Sequence, residues 1–198
     1  MNISHPIGTG LVGLLLLFGP LGGHAHDATT ANGDAQGFDA KGFDAKDYEY
    51  CLVCHGSLGQ GNPAVHAPVL AGMEDWSLRN QLQAFRDGWR GTHPLDLIGM
   101  EMRPVAMALD PSETSAVIQY LQALPAQSAP ITVQGDIEAG KTLYKACATC
   151  HGISGEGNEE LQAPALAYQD GAYLLRQLTH FRDGIRGSHP EDRRGARM

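Results

Sequence analysis

Between Asp75 and Asp87 apolar side chains recur at Leu78, Leu82 and Phe85, the spacing of one helical face, with Asp75 as candidate N-cap and Gly88 just past the end. The same stripe returns at Leu174, Leu178 and Phe181 before Gly184, and it is expected to face a core in both places. Another helix opens at Asp110-Pro111-Ser112-Glu113, which supplies an N-cap, a proline at the first helical position and a capping-box glutamate. Val117, Ile118, Leu121 and Leu124 give it an apolar face, and Pro125 follows its end. Short helices are also expected to run into residues 51 and 147, the second beginning at Gly140-Lys141-x-Leu143-Tyr144. The pattern is that of an all-α chain.

Shifting the chain by 96 residues superposes Tyr48–Met102 on Tyr144–Met198 without a gap, so the chain contains an internal duplication. Both copies keep Gly56/Gly152, Pro68/Pro164, Gln81/Gln177, Phe85-Arg86-Asp87-Gly88 with Phe181-Arg182-Asp183-Gly184, and His93-Pro94 with His189-Pro190. The second copy stops at Met198 with nothing equivalent to residues 103–124. It therefore lacks a terminal helix, which points to an incomplete reading frame or to a partner that supplies the missing packing.

All four cysteines lie in two C-x-x-C-H segments, Cys51-x-x-Cys54-His55 and Cys147-x-x-Cys150-His151. This spacing is the signature of covalent c-type haem attachment: two thiols one turn apart form thioethers to a haem's vinyl groups, and the adjoining histidine is the proximal iron ligand. A zinc site needs its C-x-x-C pairs close together, and here each pair is closed by its own histidine. A thioredoxin-like dithiol would sit beside a βαβ pattern, yet no strand-rich stretch precedes either motif.

Met102 and Met198 each fall 47 residues after the proximal histidine, which makes them the expected sixth ligands. A soft thioether sulfur stabilises ferrous iron and raises the reduction potential. Met100 and Met107 are rivals in the first copy, but Met100 aligns with Ala196 and Met107 has no equivalent. His93 and His189 would instead give bis-histidine haems; each sits in a Gly-x-His-Pro turn, where a local hydrogen bond is the plainer role. The carbonyls of Pro68 and Pro164 are candidate acceptors for the histidine Nδ1–H. Arg86, Arg90, Arg182 and Arg186 are open to two readings, contacts to haem propionates or solvated helix ends.

Cys-x-x-Cys-His-Gly, then Ala-Pro-x-Leu-Ala, then Gln-Leu-x-x-Phe-Arg-Asp-Gly-x-Arg-Gly and a distant methionine, all present twice, resemble the dihaem cytochrome c4 family of class I cytochromes. The resemblance covers most of the chain beyond residue 40. It implies two tandem helical cytochrome c domains, the second lacking its C-terminal helix, with His55/Met102 and His151/Met198 as axial pairs of two covalently bound haem c groups. It also implies an electron carrier of the bacterial periplasm rather than an enzyme. The alternative is a cytochrome subunit of a dehydrogenase or terminal oxidase complex. A dihaem peroxidase needs one open iron, and two matched methionines argue against it.

The apolar run Ile7–Leu21 is short for a membrane span, which needs about 20 residues, and reads as a signal peptide cleaved after Ala25. Its first residues lack Lys and Arg, so an uncleaved anchor is the other reading. The expected organisation is then 1–25 signal peptide, 26–37 leader, 38–124 first domain, 125–134 linker and 135–198 second domain, with no stable membrane span after cleavage. The chain of 198 residues carries a formal charge of −8. Residues 26–134 hold 6 basic and 13 acidic residues, whereas 135–198 hold 8 and 9, so the charge is concentrated in the first copy. Such asymmetry orients encounters with redox protein partners, and nothing in it suggests nucleic-acid binding.

Overall fold

The computed structural model describes residues 49–126 and 131–198, which belong to one compact unit, Gly37–Met198. The expected signal peptide and leader, residues 38–48 of the expected first domain and residues 127–130 of the expected linker lie outside the described residues. Six helices follow in order: α1 (Glu49–His55), α2 (Asp75–Arg86), α3 (Leu97–Ala108), α4 (Pro111–Ala123), α5 (Ile137–His151) and α6 (Gly171–Arg182). Short 3-10 turns occupy Pro63–Val65 and Gly195–Arg197. No strand occurs among the described residues, only the equivalent bridges Asn62 to Ala67 and Asn158 to Ala163.

Local chemistry sets most helix ends. Asp110 caps α4 through the N–H groups of Ser112 and Glu113, while the Glu113 carboxylate accepts from the Asp110 N–H, completing the capping box. The start of α2 differs from the expected one. Glu74 is its N-cap and its side chain does not cap; the carboxylate reaches the second repeat and accepts from the Ala165 N–H at 3.3 Å. Asp75 is the first helical residue and pairs with Arg79 one turn on. At the other end Gly88, at φ +77°, lets the chain turn out of α2.

In the first repeat the apolar face of α4 meets α2, and Leu78, Val117, Ile118, Leu121 and Leu124 form a buried core with Ala71 and Ala116. Cys51, Leu52 and Leu82 pack against it, so the core reaches the C-x-x-C-H helix itself. The second repeat departs from the expectation that its stripe is core: Leu178, the counterpart of buried-side Leu82, is 53% exposed, and most of α5 is exposed. The cause is geometric, since no described element takes the place of α4 against α5 and α6.

Ile118 is fully buried at the centre of this core. Ile118→Ala is expected to cost about 2–5 kcal/mol through lost transfer energy and the cavity left behind, read as a fall in the denaturant midpoint of the first repeat.

The two repeats meet in reciprocal contacts, each of α2 and α6 reaching a loop of the other repeat. Asn80 donates to the Gln162 side chain at 2.9 Å, and Arg176, its equivalent, donates to the carbonyl of His66, the equivalent of Gln162, at 2.8 Å. His66 and Gln162 both hold the left-handed backbone conformation, at φ 58° and 56°. Gln169 adds two bonds to the Val69 backbone, accepting from its N–H at 2.8 Å and donating to its carbonyl at 3.0 Å.

Candidate functional site

Cys51, Cys54 and His55 lie at i, i+3 and i+4 on α1, and Cys147, Cys150 and His151 repeat the arrangement at the end of α5. All four thiols are free. Cys51 is half-buried against the core, which pushes its thiol up, while the other three are exposed. The two C-x-x-C pairs are not brought together, and among the described residues no cluster of three or more His, Cys, Asp or Glu side chains is placed to hold a metal ion.

Each helix stops at its histidine because the next residue is a glycine in the left-handed region, Gly56 at φ +84° and Gly152 at φ +83°. The chain then folds back beneath the ring. The Gly61 and Gly157 N–H groups bond to the carbonyls of His55 and His151, both at 2.8 Å. This return brings Pro68 and Pro164 to the buried imidazoles, where His55 Nδ1 lies 2.9 Å from the Pro68 carbonyl and His151 Nδ1 lies 2.8 Å from that of Pro164. A carbonyl can only accept, so Nδ1 carries the proton and Nε2 keeps its lone pair for a metal. Burial also pushes the His55 ring down, toward the neutral form that ligates.

The methionine segment is held by a device outside the C-x-x-C-H motifs. Asp96 caps α3, its Oδ1 accepting from the Gly99 N–H at 3.0 Å and its Oδ2 from the Gly91 N–H at 3.1 Å. A Cβ at Gly91 would collide with the Gly99 carbonyl, so the loop after α2 and the start of α3 touch backbone to backbone. The second repeat keeps this contact, with Asp192 accepting from Gly195 at 2.8 Å and Gly187 close against Gly195. The signal was present in the duplication, since both copies read Gly-x-His-Pro-x-Asp-x-x-Gly.

On α3, Met102 is half-buried, while Met100 and Met107 are 47% and 53% exposed. Met198 follows the Gly195–Arg197 turn and is 54% exposed. His93 and His189 serve their own loops, each Nδ1 accepting a backbone N–H, from Leu95 at 3.2 Å and Glu191 at 3.3 Å. Free thiols in pairs, imidazoles with an available Nε2 and a thioether on a separate segment are the donor chemistry of c-type haem, and the buried Trp89 Nε1 has no partner among the described residues.

The family model for cytochrome c matches residues 40–125 and 137–198. Cytochrome c-552 of Acidithiobacillus ferridurans is 35% identical over 147 residues, which cover 69% of this chain and 61% of that protein. The chain thus spans about three fifths of the length of that relative. A thiosulfate dehydrogenase electron acceptor of Stutzerimonas stutzeri is 33% identical, with 73% of this chain and 68% of that one covered. Among solved structures, the cytochrome c4 of Acidithiobacillus ferrooxidans superposes with a TM-score of 0.59 at 35% identity, covering 70% of this chain and 83% of that chain.

Proposed function

Because the chain belongs to the cytochrome c family and shares the tandem organisation of the dihaem cytochromes c4, we propose that it is a periplasmic carrier that passes single electrons between respiratory redox partners. The observation that carries this reading is the twofold occurrence of one unit, a C-x-x-C-H helix whose histidine is oriented by a proline carbonyl. Haem c, when bound, supplies an iron that cycles between ferrous and ferric states. Cys51 and Cys54 would tether one group and Cys147 and Cys150 the other. His55 and His151 would hold the irons through Nε2, together with the Met102 and Met198 sulfurs.

The chain's own residues serve this role by holding geometry fixed. The Pro68 and Pro164 carbonyls orient the imidazoles and make them better donors to iron. Asp96 holds the first methionine segment against the loop after α2, and Asp192 caps the Gly195 N–H of the second. A histidine and a methionine committed to each iron would leave no place for substrate. Among the described residues no helix is long and apolar enough to cross a membrane.

A second reading, a subunit of a dehydrogenase or terminal oxidase complex, is favoured by the relative named as an electron acceptor of thiosulfate dehydrogenase. Two measurements test the proposal. Potentiometric titration of the purified protein is expected to show two one-electron transitions, and the reduced protein is expected not to bind carbon monoxide. Carbon monoxide binding at both irons would overturn a carrier with closed irons. Purification from native membranes and periplasm separates the two readings, since a carrier elutes alone and a subunit elutes with its complex.

A further inference from the structure

Position 180 breaks the symmetry of the duplication. The 96-residue shift places it on Ala84, a buried alanine of α2, whereas His180 is a buried histidine of α6 turned toward the first repeat. Its Nδ1 lies 3.6 Å from Asp96 Oδ1, the oxygen that accepts from the Gly99 N–H at the start of α3. The other oxygen of that carboxylate accepts from the Gly91 N–H. The second repeat thus sets an imidazole against the side chain that holds the Met102 segment of the first. Asp192, the equivalent of Asp96, has only alanine at the matching position.

The ring is a titratable group held just short of pairing. At 3.6 Å its Nδ1 is beyond hydrogen-bond reach of Asp96, and among the described residues it has no hydrogen-bond partner. Asp96 faces it from the cap of α3, Arg90 from the loop after α2, Arg186 from the loop after α6 and Arg176 from its own helix. Asp183, which follows α6, also senses it and is paired with Arg182. Arg90 and Arg186 are themselves bonded to the Gln81 and Gln177 side chains. Burial pushes the His180 ring below the ordinary imidazole range, Asp96 pulls it up, and the three arginines push it down again. The ring is therefore neutral at pH 7 and takes its proton in acid. A cleft of about 240 Å³, lined by His66, Leu95, Leu97, Ile98, Arg176 and His180 itself, gives that proton a way in.

We propose that His180 is a positioning residue for the methionine segment of the other repeat: with a proton on its ring it pairs with Asp96, secures the start of α3 and makes the potential of the first haem depend on pH. The inference rests on the dihaem reading above. The proton comes from solvent, the Nδ1–H donates to Oδ1, and no covalent bond changes. A carboxylate oxygen accepts more than one hydrogen, so Oδ1 keeps its bond from Gly99 while it takes the new one. The added positive charge favours ferrous over ferric iron. A firmer hold on the Met102 segment acts in the same direction, because thioether ligation also favours ferrous iron. Linkage makes the effect reciprocal, so reduction draws the proton onto His180.

The test pairs NMR titration of the full-length protein with spectroelectrochemistry between about pH 4 and 8, haem content being measured by mass spectrometry on the same samples. The His180 ring protons and the Gly91 and Gly99 amides are expected to titrate together, at a higher pH in the reduced than in the oxidised protein. The first haem's potential is expected to fall as pH rises through that titration, and the second haem's to change less. The double serine variant at Cys51 and Cys54, which leaves the second haem alone, identifies the two transitions. His180→Gln takes no proton, and it should remove the pH dependence and hold the first potential near the parent's alkaline value. A dependence that survives in His180→Gln, equal slopes at both haems, or a ring that titrates without moving the two glycine amides would each overturn the proposal. A parent protein without covalent haem would instead overturn the dihaem reading, and the joint titration of His180 with the two amides would still decide whether the pair forms.

Discussion

Replacing Cys51 and Cys54 together by serine is expected to leave one covalent haem where the parent protein is expected to carry two. Each thiol pair sits on its own helix with its own histidine, and the Cys147, Cys150 and His151 group shares no hydrogen bond with the first. Thioether formation needs both the sulfur and its place on the helix, and serine keeps the place while removing the sulfur. Intact-mass measurement after acid-acetone extraction reads the count directly. The reciprocal variant, Cys147→Ser with Cys150→Ser, is expected to give the same number from the other half. Retention of two extraction-resistant groups in either double variant would show that the thiols are not the attachment points.

Met102→Ala is expected to remove the weak near-infrared methionine-to-iron band of one haem and to lower that haem's potential, while Met100→Ala and Met107→Ala leave both unchanged. Axial ligation sets haem potentials across roughly 0.8 V in proteins, so loss of the sulfur ranks among the largest effects available to one side chain. Its two rivals share α3 but are exposed, on faces turned to solvent. Retention of the band in Met102→Ala, or its loss in Met100→Ala, would show that the equal histidine-to-methionine spacings mislead.

What the sequence makes legible depends on the range over which each contact is made. The helical placement of the C-x-x-C-H segments and the histidine-to-proline bonds were legible because each is set over a short stretch, one by a helix turn and the other by one fold-back. The capping box at Asp110 was legible for the same reason. Glu74 was not, because its carboxylate is taken by Ala165 in the other repeat, a contact that no local pattern encodes. The burial expected of Leu178 failed likewise, since a stripe shows which face is apolar and not whether an element covers it. The four equivalent arginines could be named but not sorted, because their surroundings are made across the chain.

The reciprocal contacts between the two repeats have a consequence for ancestry. A surface that meets its own duplicate is the geometry of a symmetric homodimer, in which residue i touches j and j touches i. A one-haem ancestor pairing with a second copy of itself would make the same contacts, and every substitution there would have acted twice. Fusion of the genes lifts that constraint. Asn80 and Arg176, or His66 and Gln162, were then free to diverge while still making one bond each, whereas Gln81/Gln177 and Arg90/Arg186 remain identical in both copies.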